Sequence, residues 1–292
     1  MDRPIPKPTL INHVLDWTWE NYRTAFVLGT GAIVMALHAA FGGGRTELWL
    51  GAWGAVLALG AALEPCVNPH NEIVGHALWR GSDRLPRIAL TFDDGPWPPY
   101  TEGILDVLRR EGVPASFFVV GRQARRYPEL IRRMKQEGHL VGNHTESHRN
   151  LLFSLPEVSR TQIEQGAKSI EEVLGEAPVW FRPPWGMRAP WTLRQVVNAN
   201  QRTALWTICP RDWQRPGPDS IVHRILKTAR PGNIVLLHDG NGDRSQTVQA
   251  LPEVIRGLRQ LGYQFATVEE MARDLEALGQ TPETQAPPAR PA

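Results

Sequence analysis

The stretch Ile88-Ala89-Leu90-Thr91-Phe92-Asp93-Asp94-Gly95-Pro96 passes from a run of β-formers directly into two adjacent carboxylates. Ile88–Phe92 reads as a buried strand, and Pro96 ends it because proline cannot donate to a sheet ladder. Neighbouring carboxylates repel each other unless a cation or a hydrogen-bond donor offsets their charge. At an extended strand end, successive side chains point to opposite sides. One of the pair is then free to ligate a metal while the other faces a substrate. Gly95 permits close approach of another segment. Asp-Asp-Gly-Pro is also ordinary turn chemistry, so its meaning depends on its surroundings.

Outward from this point, to about Leu278, β-rich runs alternate with helical patterns. The predicted strands are Ile88–Phe92, Ser116–Val120, His139–Gly142, Val179–Arg182, Thr203–Ile208, Asn233–Leu237 and Gln264–Thr267. Helical patterns cover Thr101–Glu111, Pro128–Glu137, Leu155–Leu174, Trp191–Asn200, Ser220–Ala229 and Thr247–Leu261. Such alternation implies parallel strands with helices outside them. The expected fold class is α/β, a distorted (β/α)7-type barrel that need not close completely. Reactive groups in such barrels sit at the carboxyl ends of the strands.

Four further motifs stand at predicted strand ends. His144-Thr145-Glu146-Ser147-His148 carries two histidines four residues apart, which on one helical turn project to the same side as two metal ligands would. Asp94 completes a His-His-Asp set with positions open to water and substrate. Those ligands suit zinc, and also cobalt, nickel or iron. Glu146 sits at the wrong offset for an HExxH site. Arg182-Pro183-Pro184-Trp185-Gly186 reads as a frozen loop that holds an arginine and a backbone N–H. Arg211-Asp212-Trp213 follows the strand ending at Ile208, and Ile234–Leu237 leads into His238, a candidate general acid or base, and Asp239. Each motif alone has a plainer reading as a surface pair, a rigid loop or a core histidine. All five in this order do not.

Together they resemble the polysaccharide deacetylase family, the NodB homology domain of carbohydrate esterase family 4, over Arg87 to Leu278. The resemblance implies a metal-dependent hydrolase that removes N-acetyl or O-acetyl groups from an N-acetylglucosamine-containing or related polysaccharide or oligosaccharide. It implies Asp94, His144 and His148 as metal ligands, Asp93 as general base toward water, and Arg182 as the group positioning that base. Asp212 would tune His238, the general acid. The Trp185 N–H would help hold the oxyanion, and Leu236 with Trp213 would line a pocket for the acetyl methyl. One position departs from the family pattern: Cys209 stands where an aspartate often precedes the Asp-Trp pair by three residues.

Residues 1–85 read differently. Two apolar runs, Ala25–Phe41 and Leu48–Leu63, lack Asp, Glu, Lys and Arg and flank a Gly42–Glu47 linker. Each is near the lower limit, about 17 residues, for a bilayer-spanning helix, and neither shows an amphipathic period. An uncleaved hairpin anchor is the expectation. Polar residues before the first run, including Asp2, Asp16 and Glu20, argue against a cleaved signal. With both runs spanning, Arg3, Lys7 and Arg23 against Arg45 would leave the large domain in the cytoplasm; with one run spanning, it lies outside. An extracytoplasmic, membrane-anchored hydrolase is the expectation, with the side not fixed by charge. The tail from Gly279 to Ala292 is Pro-rich and expected to be disordered. A net charge of +2, with arginines scattered among acids, gives no support for nucleic-acid binding. Cys66 and Cys209 form no CxxC pair, which disfavours a sulfur-ligated metal.

Overall fold

The computed structural model describes residues 22–41 and 46–280. Most of the predicted Gly42–Glu47 linker, the charges at Arg3, Lys7 and Arg45, and the tail beyond Gln280 lie outside the described residues. The chain divides into two compact units, Pro6–Pro65 and, for the rest, Cys66–Ala292.

The first unit holds α1 (Tyr22–Phe41) and most of α2 (Thr46–Val67). Trp53 links them, donating from Nε1 to Thr30 Oγ1 at 3.3 Å and packing against Gly31. Ile33, Met35, Leu48, Leu50 and Leu59 are more than half exposed, a pattern suited to an apolar surrounding. Among the described residues Glu47–Val67 alone is long and apolar enough to cross a bilayer, and the Gly29–Ala39 stretch of α1 is shorter.

The second unit is an open parallel sheet wrapped by helices. Its strands are β1 (Arg87–Asp93), β2 (Ser116–Val119), β3 (Leu140–Asn143), β4 (Trp180–Phe181), β5 (Arg202–Thr203), β6 (Ile234–His238) and β7 (Gln264–Phe265). They run in the order β5-β4-β3-β2-β1-β6, with β7 pairing to β1 at Arg87–Ile88. Around them lie α3 (Tyr100–Glu111), α4 (Gly121–Arg126), α5 (Pro128–Gln136), α6 (Pro156–Leu174), α7 (Thr192–Asn198), α8 (Pro218–Thr228), α9 (Ser245–Gln260) and α10 (Val268–Ala277). Two of these, α4 and α10, were not among the predicted helices.

The barrel does not close between β5 and β6. The predicted strand Thr203–Ile208 breaks because its two ends serve different neighbours. Thr203 pairs with Phe181, whereas Ile208 bridges Val235 of β6. Leu78 fills the gap, its N–H donating to Thr203 O and its carbonyl accepting from Leu205 N, both at 2.8 Å. Ala77, Leu78 and Trp79 are buried core, so residues well before Arg87 belong to this unit.

Alternation along the strands builds two cores, because successive side chains leave a strand on opposite faces. Leu90, Phe92, Phe117, Val119, Val235 and Leu237 face the helices, while Ala89, Phe118, Ile234 and Leu236 face the interior with Trp180 and Trp206. Each fully buried side chain of this size contributes roughly 1.5–3 kcal/mol. The interior is plugged by Val268, Met271 and Leu275 of α10. That helix starts with a capping box that was present in the sequence: Thr267 Oγ1 accepts from Glu270 N, and Glu270 Oε2 accepts from Thr267 N at 2.7 Å. Thr267→Ala should cost about 1 kcal/mol, lowering Tm by roughly 2–4 °C for a unit of this size. A thermal melt with an unchanged midpoint would show that α10 is held by packing alone.

Candidate active site

The register of the sheet assembles the site. Asp93 lies opposite both Phe118 and His238, Val119 opposite Asn143, and Asn143 opposite Phe181. The carboxyl ends therefore form one row, and Asp94, His144 and Arg182 follow it immediately. By strand parity Asp93, at the end of Ala89-Thr91-Asp93, points inward, as does His238 after Ile234 and Leu236.

The two carboxylates have different environments. Asp93 closes β1, but Asp94 takes a left-handed backbone, φ 79°, so a turn separates them rather than the simple strand alternation expected. Arg182, fully buried, donates from Nη1 to Asp93 Oδ1 at 2.8 Å and to Thr91 Oγ1 at 2.7 Å. Its Nε and Nη2 donate to the carbonyls of Ala204 and Leu205, and its guanidinium lies 4.0 Å from the centre of the Phe118 ring. Burial lowers the guanidinium pKa and Asp93 opposes that shift. Asp93 is thus held by one oxygen, and Oδ2 lies 3.8 Å from His144 Nε2.

Asp94 instead faces imidazoles. Its Oδ1 lies 2.9 Å from His148 Nε2 and 3.5 Å from His144 Nε2. That oxygen is buried without a hydrogen-bond donor aligned on it. His144 Nδ1 is engaged by the Arg182 carbonyl at 2.7 Å, which fixes the proton there and leaves Nε2 with a lone pair, the arrangement typical of a metal-ligating histidine. One donor atom from each of Asp94, His144 and His148 lies within 4.8 Å of the others. Ligands about 2.1 Å from a tetrahedral ion stand about 3.4 Å apart, so the set fits a small divalent cation. Burial works against the charge of Asp94, yet His144 and His148 hold its carboxyl well below the usual range. The histidines do not share a helical turn as expected. Thr145 and His148 have φ 66° and 58°, and the segment is an irregular turn anchored by His144 N to Val119 O and Gly121 N to Thr145 O, both at 2.9 Å.

Across the site, His238 Nδ1 meets Asp212 Oδ1 at 2.8 Å, and Asp212 Oδ2 accepts from His238 N at 2.9 Å and Thr247 Oγ1 at 2.8 Å. Burial pulls the His238 pKa down, but the charge and hydrogen bond of Asp212, with Asp94 and Asp93 beyond, push it up to about 9. Trp213 meets the His238 ring edge-on at 5.2 Å, and Trp185 meets His148 at 4.3 Å. Leu236 is buried two residues before His238. Burial pushes the Cys209 thiol up to about 12, so no charge replaces the missing aspartate.

Sequence reasoning gave no role to Asp239, which locks the site loops together. Its Oδ1 accepts from Gly95 N at 3.0 Å and its Oδ2 from Thr101 Oγ1 at 2.6 Å. Burial pushes this carboxyl up to about 7, against the Thr101 and Gly95 donors. A Cβ on Gly95 would lie 1.9 Å from Asp239 Oδ2, and one on Gly240 would lie 2.4 Å from Asp94 O. Only glycine fits at either place. A small opening lies over Asp94 and His148, lined also by Trp97, Val120, Arg122, Gln123 and Asn241. None of those five carried a motif, whereas the expected contact residues Trp185, Trp213 and Leu236 lie outside this lining.

A family profile for polysaccharide deacetylase matches residues 80–204. A peptidoglycan-N-acetylglucosamine deacetylase of Bacillus cereus is 42% identical over 204 residues, covering 69% of this chain and 95% of that protein. A chitooligosaccharide deacetylase of Sinorhizobium fredii is 41% identical over 195 residues, covering 63% of this chain and 91% of that protein. Among solved structures, a peptidoglycan N-acetylglucosamine deacetylase bound to 4-naphthalen-1-yl-N-oxidanyl-benzamide aligns with a TM-score of 0.64 at 33% identity, covering 66% of this chain and 91% of that one. A carbohydrate esterase family 4 pseudoenzyme from Bacillus anthracis aligns equally well, TM-score 0.64 at 27% identity, over 68% of this chain and 69% of that one. Fold, motif order and this degree of identity agree: the chain belongs to the polysaccharide deacetylase family and is a hydrolase of carbon–nitrogen bonds.

Proposed function

We propose that the chain removes acetyl groups from N-acetylglucosamine units of a polysaccharide or oligosaccharide, with Asp93 as base and His238 as acid. The observation that carries this reading is the asymmetry of the acidic pair: Asp93 is gripped by Arg182, Asp94 is turned to two imidazoles, and a third histidine, His238, is held at the neighbouring strand end by Asp212. The names of the curated relatives favour acetyl over formyl as the group removed, and the apolar helix keeps a lipid-linked amino sugar among the substrates to test.

Asp94, His144 and His148 would hold a divalent cation, zinc by the character of the set, with cobalt, nickel or iron also suited. A cation there supplies Lewis-acid polarisation of the acetamide carbonyl and lowers the pKa of water. Arg182 fixes Asp93 Oδ1, so Oδ2 is the oxygen that accepts the proton of the attacking water. Asp212 holds the His238 Nδ1–H, which aims Nε2–H inward to protonate the departing nitrogen. The Trp185 N–H is assigned to the oxyanion, and Trp213 with Leu236 to the acetyl methyl.

Asp93→Asn keeps an oxygen for Arg182 and should lower kcat on a chitooligosaccharide at least about a hundredfold. Acetate release at the wild-type rate would refute the assignment of the base. Because His238 must be protonated to act, activity should persist through neutral pH and fall as pH rises past about 9. Asp212→Asn removes the opposing charge and should move that alkaline limb downward by at least about one pH unit; an unmoved limb in the kcat profile would assign it to another group. Treatment with a chelator should abolish acetate release and zinc add-back should restore it. His148→Ala should weaken zinc binding, measured by metal analysis after dialysis, about tenfold or more. Full activity in metal-free protein would rule out the Asp94, His144, His148 centre. Formate in place of acetate from paired substrates would redirect the reading to a deformylase.

A further inference from the structure

Glu146 stands inside the His144–His148 motif, yet nothing in the acid–base set uses it. Its carboxylate is taken up by two helices: Ser169 Oγ on α6 donates to Oε2 at 2.7 Å, and Arg125 on α4 pairs with Oε1. The backbone around it is held as closely. Thr145 and His148 take left-handed φ values of 66° and 58°. A β-branched threonine seldom occupies that region, and it persists only where neighbouring contacts impose it. Thr145 Oγ1 is buried with no partner among the described residues, so that hydroxyl does not hold the turn. The contacts come from outside. From α4, Gly121 N donates to Thr145 O at 2.9 Å and Arg122 N to Glu146 O at 3.0 Å. From α6, Gln162 accepts three hydrogen bonds: its carbonyl from Glu146 N at 2.9 Å, and its Oε1 from Ser147 N at 3.0 Å and Ser147 Oγ at 2.9 Å. Every backbone polar group from Thr145 O to Ser147 N is thereby satisfied by a helix.

A carbonyl in mid-helix is normally turned to the N–H four residues on. Because Gly166 has no side chain, the Gln162 carbonyl stays open to a second donor. A Cβ on Gly166 would meet Asn143 Oδ1 and would lie 2.7 Å from Thr145 C and 2.9 Å from Glu146 N. The helix and the turn therefore lie backbone against backbone. One residue along, Ile163 O accepts from Asn143 Nδ2 at 2.9 Å, directly before the first histidine. Helix α4 meets the same junction, since a Cβ on Gly121 would come within 2.9 Å of Gly166 Cα. A site whose ligands are already placed binds its ion more tightly than one that is competent only part of the time. Outer contacts that orient metal ligands change affinity by about 10–100-fold.

We propose that Gln162 and Gly166 of α6 are positioning residues of the Asp94, His144, His148 centre, holding both imidazoles in place before a cation binds. The inference rests on the metal-dependent reading above. The test is zinc affinity, measured on the full chain in detergent by competition with a chelating dye. Gln162→Met keeps the length and helix preference of the side chain but loses the Oε1 acceptor, and it should bind zinc about tenfold more weakly. Gln162→Glu keeps an acceptor and should restore the binding. Gly166→Ala is a better helix former, yet it too should weaken zinc about tenfold, because the added methyl displaces the turn. The zinc-free melting midpoint of Gln162→Met should move by only about 2–4 °C. Wild-type zinc affinity in Gln162→Met or Gly166→Ala, whatever the midpoint does, overturns the proposal and leaves these residues structural. Equal weakening in Gln162→Met and Gln162→Glu also overturns it, since the acceptor is then not the cause. Loss of the zinc-free fold in both Gln162→Met and Gly166→Ala overturns it too, because the contacts then serve stability and not placement. His148→Ala removes a ligand outright. If that variant binds zinc as the wild type does, the centre itself is refuted and the positioning role with it. If it loses zinc while Gln162→Met does not, the positioning role alone fails.

Discussion

The arrangement depends on the fully buried pair of Arg182 and Asp93. Two charges taken out of water are tolerated only when the remaining donors and acceptors are satisfied. Here every guanidinium nitrogen is used: Nη1 on Asp93 and Thr91, Nη2 and Nε on the carbonyls of Leu205 and Ala204. Those carbonyls belong to the segment that leaves β5 early, so the opening in the barrel is also what supplies the arginine with acceptors. The pair offsets one carboxylate of the acidic couple, and the second is left to the imidazoles. Cys209, neutral under burial, adds no further negative charge beside it.

Much of this was legible from the chain. Five motifs, each just after a β-rich run, gave the strand-end placement of Asp93, Asp94, His144, Arg182 and His238, because strand length and parity are local properties. The parallel α/β sheet followed from the alternation of runs. Where the reading diverged, the causes were non-local. The continuous run Thr203–Ile208 has strand propensity throughout, but its ends pair with different partners and Leu78 occupies the gap. The four-residue spacing of His144 and His148 suits a helix, yet the Asn143 strand end and the contacts of Gly121 and Arg122 hold the segment in an irregular turn. The spacing anticipated that the two imidazoles lie together, 5.0 Å between ring centres, and missed the backbone that brings them there.

The least legible parts were groups whose work is to hold others. Asp239 follows a motif histidine and looks like part of a turn. Its role emerges only when β1 and β6 lie side by side and Gly95 and Gly240 meet across them. The residues rimming the opening, Trp97, Arg122 and Asn241, come from two loops and the first turn of α4, with no shared pattern. Helix α10 carries a recognisable Thr-Val-Glu-Glu start but follows its strand after two residues, and the expected strand Gln264–Thr267 takes in its cap.

Leu78 and Trp79, stitched into the interior beside Ala204 and Trp206, set a boundary on how the hydrolase unit can be shed from whatever holds its apolar helix. A protease cutting ahead of Cys66 would leave the β5–β6 gap filled and Arg188 supplied with its carbonyl acceptors. A cut a dozen residues later would release a fragment with an open seam and a stranded guanidinium, prone to unfold rather than to diffuse away as an active enzyme. Survival of this unit after a cut therefore depends on keeping the chain from Cys66 to Trp79 attached to it.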